Sequence, residues 1–294
     1  MTTGSIASSA DAPSLLSKLF GPKQNISWGN TAILAAGSLF ILLPLYFVLA
    51  MSLKSSADMV DASGFEWPTT FHWSNYAAAW EMVNAPVALF WSVVITALSI
   101  AGNILIPAMV AWAVVRNWST PLFRYAFIYL LATMFIPFTV LALPQIKLMA
   151  SLGLDNPFGV VILNWMFGLS FNTLMFAAYI RALPSELEES AILDGCSTFE
   201  VFWKIVLPLL TPMAATVGIF AFLQSWNDFM MPSLIISSVS QQTLPVVQAT
   251  FRDTLTLNYN VAFASYAIAM IPAIIGYVIG QRWIIAGVMR GAIK

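Results

Sequence analysis

Six stretches of this sequence, residues 31–53, 88–114, 125–146, 158–180, 209–235 and 261–281, are each long and apolar enough to cross a bilayer. A hydrocarbon core about 30 Å thick needs roughly 20 mostly apolar residues in helical form. Only helices and closed barrels satisfy backbone N–H and C=O groups where there is no water to do it. The six runs are continuous and lack the alternation of barrel strands, so the expected fold class is all-α, a polytopic membrane protein with six transmembrane helices. Composition points the same way. Apolar residues make up 60% of the chain and charged ones 9%, against roughly a quarter charged in soluble domains; the mean hydropathy is +0.83. Residues 1–30 read as a separate N-terminal segment and 31–294 as the membrane domain. The first apolar run is longer than the core of a signal peptide and no small-x-small cleavage site follows it, so it is expected to remain as an uncleaved span.

Lysine and arginine set the orientation. If the chain starts in the cytoplasm, Lys18, Lys23, Arg116, Arg124, Arg181, Lys204, Arg282, Arg290 and Lys294 fall inside, and Lys54, Lys147 and Arg252 fall outside or near the outer face. Both termini are therefore expected in the cytoplasm, with the chain crossing the membrane several times. A single cysteine, Cys196, and a single histidine, His72, leave no disulfide framework and no His/Cys metal site. There is no Gly-rich phosphate loop, so the chain has no such device for binding ATP. Catalytic residues, cofactors in this chain and a nucleic-acid partner are not expected.

The cytoplasmic segment 181–208 is polar and has its own helix signals. Ser185 with Glu188, and again Ser197 with Glu200, have capping-box spacing. Gly195 stands where a helix stop needs a residue at ease in the left-handed conformation. Two short helices joined by a glycine turn are expected, the second with Phe199, Phe202, Trp203 and Val206 as an apolar face before Pro208. Helices this short are marginal in water and need something to pack on.

The run Glu189-Ser190-Ala191, then Gly195, Ile205, Leu207 and Pro208, resembles the EAA loop of permease subunits in binding-protein-dependent ABC importers. Ser190 departs from the alanine more usual there. Weaker signals resemble the carbohydrate, maltose-type branch of that family along nearly the whole chain: Ser52-Leu53-Lys54, Asn75-Tyr76, Trp226-Asn227-Asp228-Phe229, Thr243-Leu244-Pro245, Ile271-Pro272, Gln281-Arg282 and the tail from Gly287 to Lys294. The resemblance implies the MetI-like permease fold. It also implies import of a sugar or sugar-like solute, with ATP and Mg bound on a partner ATPase dimer. A second homologous permease and an extracytoplasmic solute-binding protein would complete the assembly. Glu188, Glu189, Ala191, Asp194, Gly195, Phe199, Ile205, Leu207 and Pro208 are the residues this implies for ATPase coupling, and Arg290 and Lys294 for a C-terminal ATPase contact.

Asp228 lies well inside the fifth apolar run on this reading, where a carboxylate is costly and usually faces a cavity or a partner. Gln224, Trp226, Asn227 and Asp228 are thus candidates for the substrate path, with the indole able to pack on a sugar ring. Asn227 and Asp228 equally suit a structural role against a neighbouring helix. Asn103, Asn164 and Asn172 share that ambiguity. An importer of another solute class, such as glycerol phosphate or peptides, would satisfy the same physics. A secondary transporter would need its own coupling-ion site and repeat-related broken helices, which the sequence does not display.

Overall fold

The computed structural model describes residues 27–61, 64–254 and 258–292, with backbone alone for 60, 61, 250–254 and 282–292. Lys18, Lys23 and Lys294 lie outside the described residues, as do the side chains of Arg252, Arg282 and Arg290. Among the described residues all regular structure is helical. In chain order the elements are α1 (Trp28–Leu53), α2 (Ser74–Met82), α3 (Ala85–Arg116), α4 (Pro121–Thr133), α5 (Phe138–Ser151), α6 (Pro157–Ile180), α7 (Glu186–Leu193), α8 (Thr198–Val201), α9 (Thr211–Trp226), α10 (Met230–Ile235), α11 (Leu244–Thr254) and α12 (Tyr259–Ala292). Two compact units divide within α1, after Phe47. The first holds the helical residues 28–47, with Pro44 among them.

Four of the expected spans are whole helices: Trp28–Leu53, Ala85–Arg116, Pro157–Ile180 and the stretch Tyr259–Gln281 of α12. The third is not. Residues 125–146 do not form one rod, because α4 and α5 meet at 101°. Pro137, with φ −63° and ψ 141°, starts α5 in extended backbone. Its ring removes an N–H and pushes the residue before it away from helical geometry, which is why the run breaks after Met134. On α4, Thr133 ends at the neighbouring α6 through a 2.8 Å hydrogen bond between its hydroxyl and that of Ser170.

The fifth expected span, 209–235, is also interrupted. Its helix α9 ends at Trp226 and α10 begins at Met230. The Asn227 amide donates to the Leu223 carbonyl at 2.8 Å, and Asp228 Oδ1 accepts from the Met231 N–H at 3.2 Å. The pair that reads as a polar patch inside a span thus closes one helix and opens the next, supplying partners to end groups that a helix cannot satisfy itself. At its other end α9 joins the preceding helical stretch, Thr198–Leu209, at 76°.

The core of the bundle is the long contact of α3 with α6, against which α9 packs, with α12 packing on α9 and α2. An asparagine ladder joins α3 to α6. Asn103 donates to the Ser99 carbonyl at 2.9 Å, Asn172 donates to Asn103 Oδ1 at 2.8 Å, and Asn164 donates to the Ser99 hydroxyl at 3.0 Å. All three asparagines are therefore interhelical fasteners. Gly168 makes the approach possible, since a Cβ there would collide with the Asn103 amide.

A second knot lies at the far end of α1. Asn75 donates to the carbonyls of Ser52 and Lys54, both at 2.9 Å, and accepts from Asn260 at 2.9 Å, while the hydroxyls of Ser52 and Tyr76 are 2.7 Å apart. Two separate sequence signals, Ser52-Leu53-Lys54 and Asn75-Tyr76, are thereby one hydrogen-bonded cluster tying the last turn of α1 to α2 and α12.

Candidate functional site

The segment between α6 and α9 folds as two short helices around a turn. The α7 helix stops at Asp194, and Gly195 follows with φ +88°. The Cys196 N–H reaches back to the Ala191 carbonyl and the Gly195 N–H to that of Ile192, both at 3.0 Å. That pair of bonds is the Schellman stop, which needs the left-handed residue glycine supplies at no steric cost. Beyond it, Ser197 and Glu200 form a complete capping box at the start of α8. Lys204, one turn on, bonds the Glu200 carboxylate at 2.7 Å and, with the backbone and hydroxyl of Ser197, lowers its pKa to about 2.

The first expected capping box does not form. Ser185 has helical backbone and its side chain caps nothing. Glu188 has instead turned into the protein, where it is buried. Its Oε1 accepts from Arg116 Nη2 at 2.6 Å and Nε at 3.0 Å, and its Oε2 accepts from the Trp112 indole at 2.8 Å. A carboxylate removed from water is stable only with its charge and both oxygens matched, so an ion pair with further donors outcompetes a cap that the solvent could replace. Arg116 and Trp112 are the residues that the sequence reading missed. Their i, i+4 spacing at the end of an apolar run was the available signal, since it puts an indole N–H and a guanidinium on one helix face.

The motif positions divide by direction. Ala191 is buried in an apolar core with Phe176, Ile180, Val201, Phe202 and Val206, and Ile205, Leu207 and Cys196 pack on that core. Small size at 191 is what lets α7 lie flat on it. Glu189, Asp194, Gly195, Phe199 and Pro208 are exposed, alongside Leu193, which is 88% exposed. The chain from Phe202 to Val206 is π-helical and runs into Pro208. Proline cannot donate to the ladder, and the wider turn accommodates the missing bond.

Basic residues gather at this end. Arg181 stacks over the Trp118 ring at 4.8 Å, and Trp118 meets Phe127 edge-on at 5.8 Å.

Within the bundle, Asn103, Phe167, Phe171, Asn172 and Gln224 border a cavity of about 520 Å³. A neighbouring cavity of about 400 Å³ shares Phe167, Leu223 and Gln224 and adds Phe138, Asn227 and Asp228. The structure thus brings Gln224, Asn227 and Asp228 together. Trp226 borders a different cavity, of about 300 Å³, together with Asn227 and Gln248. That ring is buried, stacked on Phe222 at 6.1 Å, and its N–H points to the Ala269 carbonyl of α12 at 3.4 Å. Adjacent helix positions are about 100° apart, which separates Trp226 from Gln224 by more than half a turn.

The chain matches the family described as binding-protein-dependent transport system inner membrane component over residues 103–290. It is 33% identical to the multiple sugar-binding transport system permease protein MsmG of Streptococcus mutans, covering 92% of this chain and 98% of that protein. It is 30% identical to the probable starch degradation products transport system permease protein AmyC of Thermoanaerobacterium thermosulfurigenes, covering 87% and 93%. A chain in the crystal structure of a bacterial ABC transporter involved in the import of the acidic polysaccharide alginate has a TM-score of 0.74, with 22% identity and coverage of 93% and 99%, and shares the fold.

Replacing Gly195 with valine places a β-branched residue at φ +88°, an expected loss of about 1–2 kcal/mol in local stability. Gly195→Asn, which tolerates the left-handed region, is expected to lose less. Thermal unfolding in detergent measures both, and equal midpoints for the two variants would show that the turn does not need this conformation.

Proposed function

The chain belongs to the family of binding-protein-dependent transport system inner membrane components, and on that premise we propose that it imports a sugar or oligosaccharide as the permease subunit of an ABC transporter. Such a subunit is non-catalytic; ATP is hydrolysed on a partner ATPase. The reading includes a second, homologous permease, an ATPase dimer and an extracytoplasmic solute-binding protein. Both termini lie in the cytoplasm, as the lysine and arginine bias supports. The basic tail at Arg290 and Lys294 is proposed as an additional ATPase contact.

The observation that carries the coupling role is the division of α7 into two faces. Its inner face is fastened by Ala191 and Glu188, and its outer face offers Glu189, Ile192 and Leu193. A helix of 8 residues does not hold its shape alone. Fastened in this way, it presents the carboxylates of Glu186 and Glu189 beside exposed apolar side chains, a surface suited to a basic-rimmed apolar cleft.

For the solute, the supporting chemistry is the pair of neighbouring cavities, with amide and carboxylate groups at Asn172, Gln224, Asn227 and Asp228 and aromatic rings at Phe138, Phe167 and Phe171. Hydroxyl-rich solutes bind where hydrogen-bonding groups and ring faces alternate. Trp226 shares with Asn227 a separate cavity on the α12 side.

The purified complex with its binding protein tests the assignment: mono-, di- or oligosaccharides are expected to stimulate its ATPase. Stimulation confined to glycerol 3-phosphate or to short peptides would move the chain to another solute class.

Glu189→Lys reverses a charge on the exposed face of α7. Co-purification of the ATPase is expected to fall about tenfold or more, with membrane abundance unchanged. Normal ATPase recovery with normal uptake would remove α7 from the coupling surface.

Asp228→Asn keeps an oxygen for the Met231 N–H and removes the charge, whereas Asp228→Ala removes the cap as well. The asparagine variant is expected to assemble normally with an altered apparent solute affinity. The alanine variant is expected to lose a further ~1 kcal/mol of stability. Unchanged affinity in an assembled Asp228→Asn complex would confine Asp228 to the helix-starting role.

A further inference from the structure

Glu188 and Glu189 are neighbours in sequence but about 100° apart around α7, and only one of them faces out. The inward one makes three hydrogen bonds with two residues of a single helix. Both guanidinium donors of Arg116 converge on Oε1, the Trp112 indole takes Oε2, and Arg116 Nη2 also approaches the Leu183 carbonyl at 3.5 Å, in the turn between α6 and α7. The Trp112 ring lies 5.5 Å from that of Phe202, the first residue of the π-helical stretch. The start of α7, the turn before it and the beginning of the π-helical stretch therefore all rest on one turn of α3.

Resting on the reading of α7 as the ATPase-docking helix, we propose that Glu188 is a positioning residue, the strut through which movement of that helix enters α3 sideways.

The alternative route runs along the chain. It crosses the Gly195 turn, the π-helical residues, Pro208 and the 76° bend at the start of α9. Each of these is a place where backbone gives, so displacement carried that way is absorbed locally. The strut has no such joint. Both carboxylate oxygens are held, by donors of two different shapes, which fixes α7 in rotation as well as in distance. Because α3 makes the main contact with α6 and also packs on α9, a push received at Arg116 reaches the helices that border the Gln224 cavity.

Glu188→Gln tests this, because an amide cannot accept from both donors: one of its two ends must face an N–H with another N–H. The complete transporter is prepared with Cys196→Ser and Gln224→Cys, and labelling of the new thiol by a water-soluble maleimide is followed before and after MgATP and vanadate. In the parent the labelling rate is expected to change with nucleotide state. In Glu188→Gln the complex is expected to assemble and to go on hydrolysing MgATP, while the nucleotide-dependent change in labelling shrinks by about tenfold. Arg116→Met should shrink it as much, and the double variant no more than either single one, since the pair acts as one unit.

A nucleotide-dependent change of full size in Glu188→Gln, or effects that multiply in the double variant, would overturn the strut. Loss of the permease or ATPase from the purified Glu188→Gln complex would make Glu188 a folding contact and overturn it too. Glu189→Lys run in parallel separates the two readings: if it also hydrolyses ATP and changes labelling normally, the docking role of α7 has failed; if it alone is defective, only the strut has.

Discussion

A carboxylate, an indole and a guanidinium meeting at Glu188 fix where the polar loop sits, and the rest of that end of the bundle is arranged around them. Taking Glu188 out of water without Arg116 would cost several kcal/mol, so neither position stands independently. With both in place, α7 is held against the end of α3 and Ala191 is set into the apolar core. The outer face is then defined by default, since on a two-turn helix whatever is not packed inward is available to something else.

The same economy of polar groups governs the bundle. Lipid offers no partners, so Asn103, Asn164 and Asn172 bond to each other and to serine and carbonyl oxygens across the α3–α6 contact. At the other end Asn75 performs this service for α1, α2 and α12. Polar residues in spans divide into those whose bonds are consumed internally and those left bordering space. Gln224 is of the second kind, Asn164 of the first, and Asn103, Asn172 and Asp228 belong to both.

The helix α9 has 16 residues, about 24 Å of length at ~1.5 Å per residue, short of the ~30 Å hydrocarbon core. Its ends are made by polar and imino groups: a bend at Leu210 ahead of Pro212, and the Asn227-Asp228 pair. The third apolar run is likewise divided at Pro137. Broken spans of this kind are tolerated where the freed backbone groups find partners in the protein. Here the interrupted backbone after Trp226 borders the cavity that contains Gln224 and Asp228.

From sequence alone came the all-α class, four spans that are whole helices, the loop 181–208 with its Gly195 turn, the Ser197–Glu200 cap and the family resemblance. These rest on local properties, namely length of apolar run, cap spacing and backbone freedom, and each is decided within a few residues. The breaks at Met134 and Trp226 were not seen, because a hydropathy run does not record where the backbone turns. The inward turn of Glu188 was not seen either. Ser185 offered it a legitimate local partner, and its actual partners, Trp112 and Arg116, lie more than 70 residues earlier. The separation of Trp226 from Gln224 and Asp228 likewise follows from α12 and Phe222 claiming the indole. What tertiary structure alone decided was the choice among competing partners, because that choice is settled by which distant groups the packed helices bring within bonding distance.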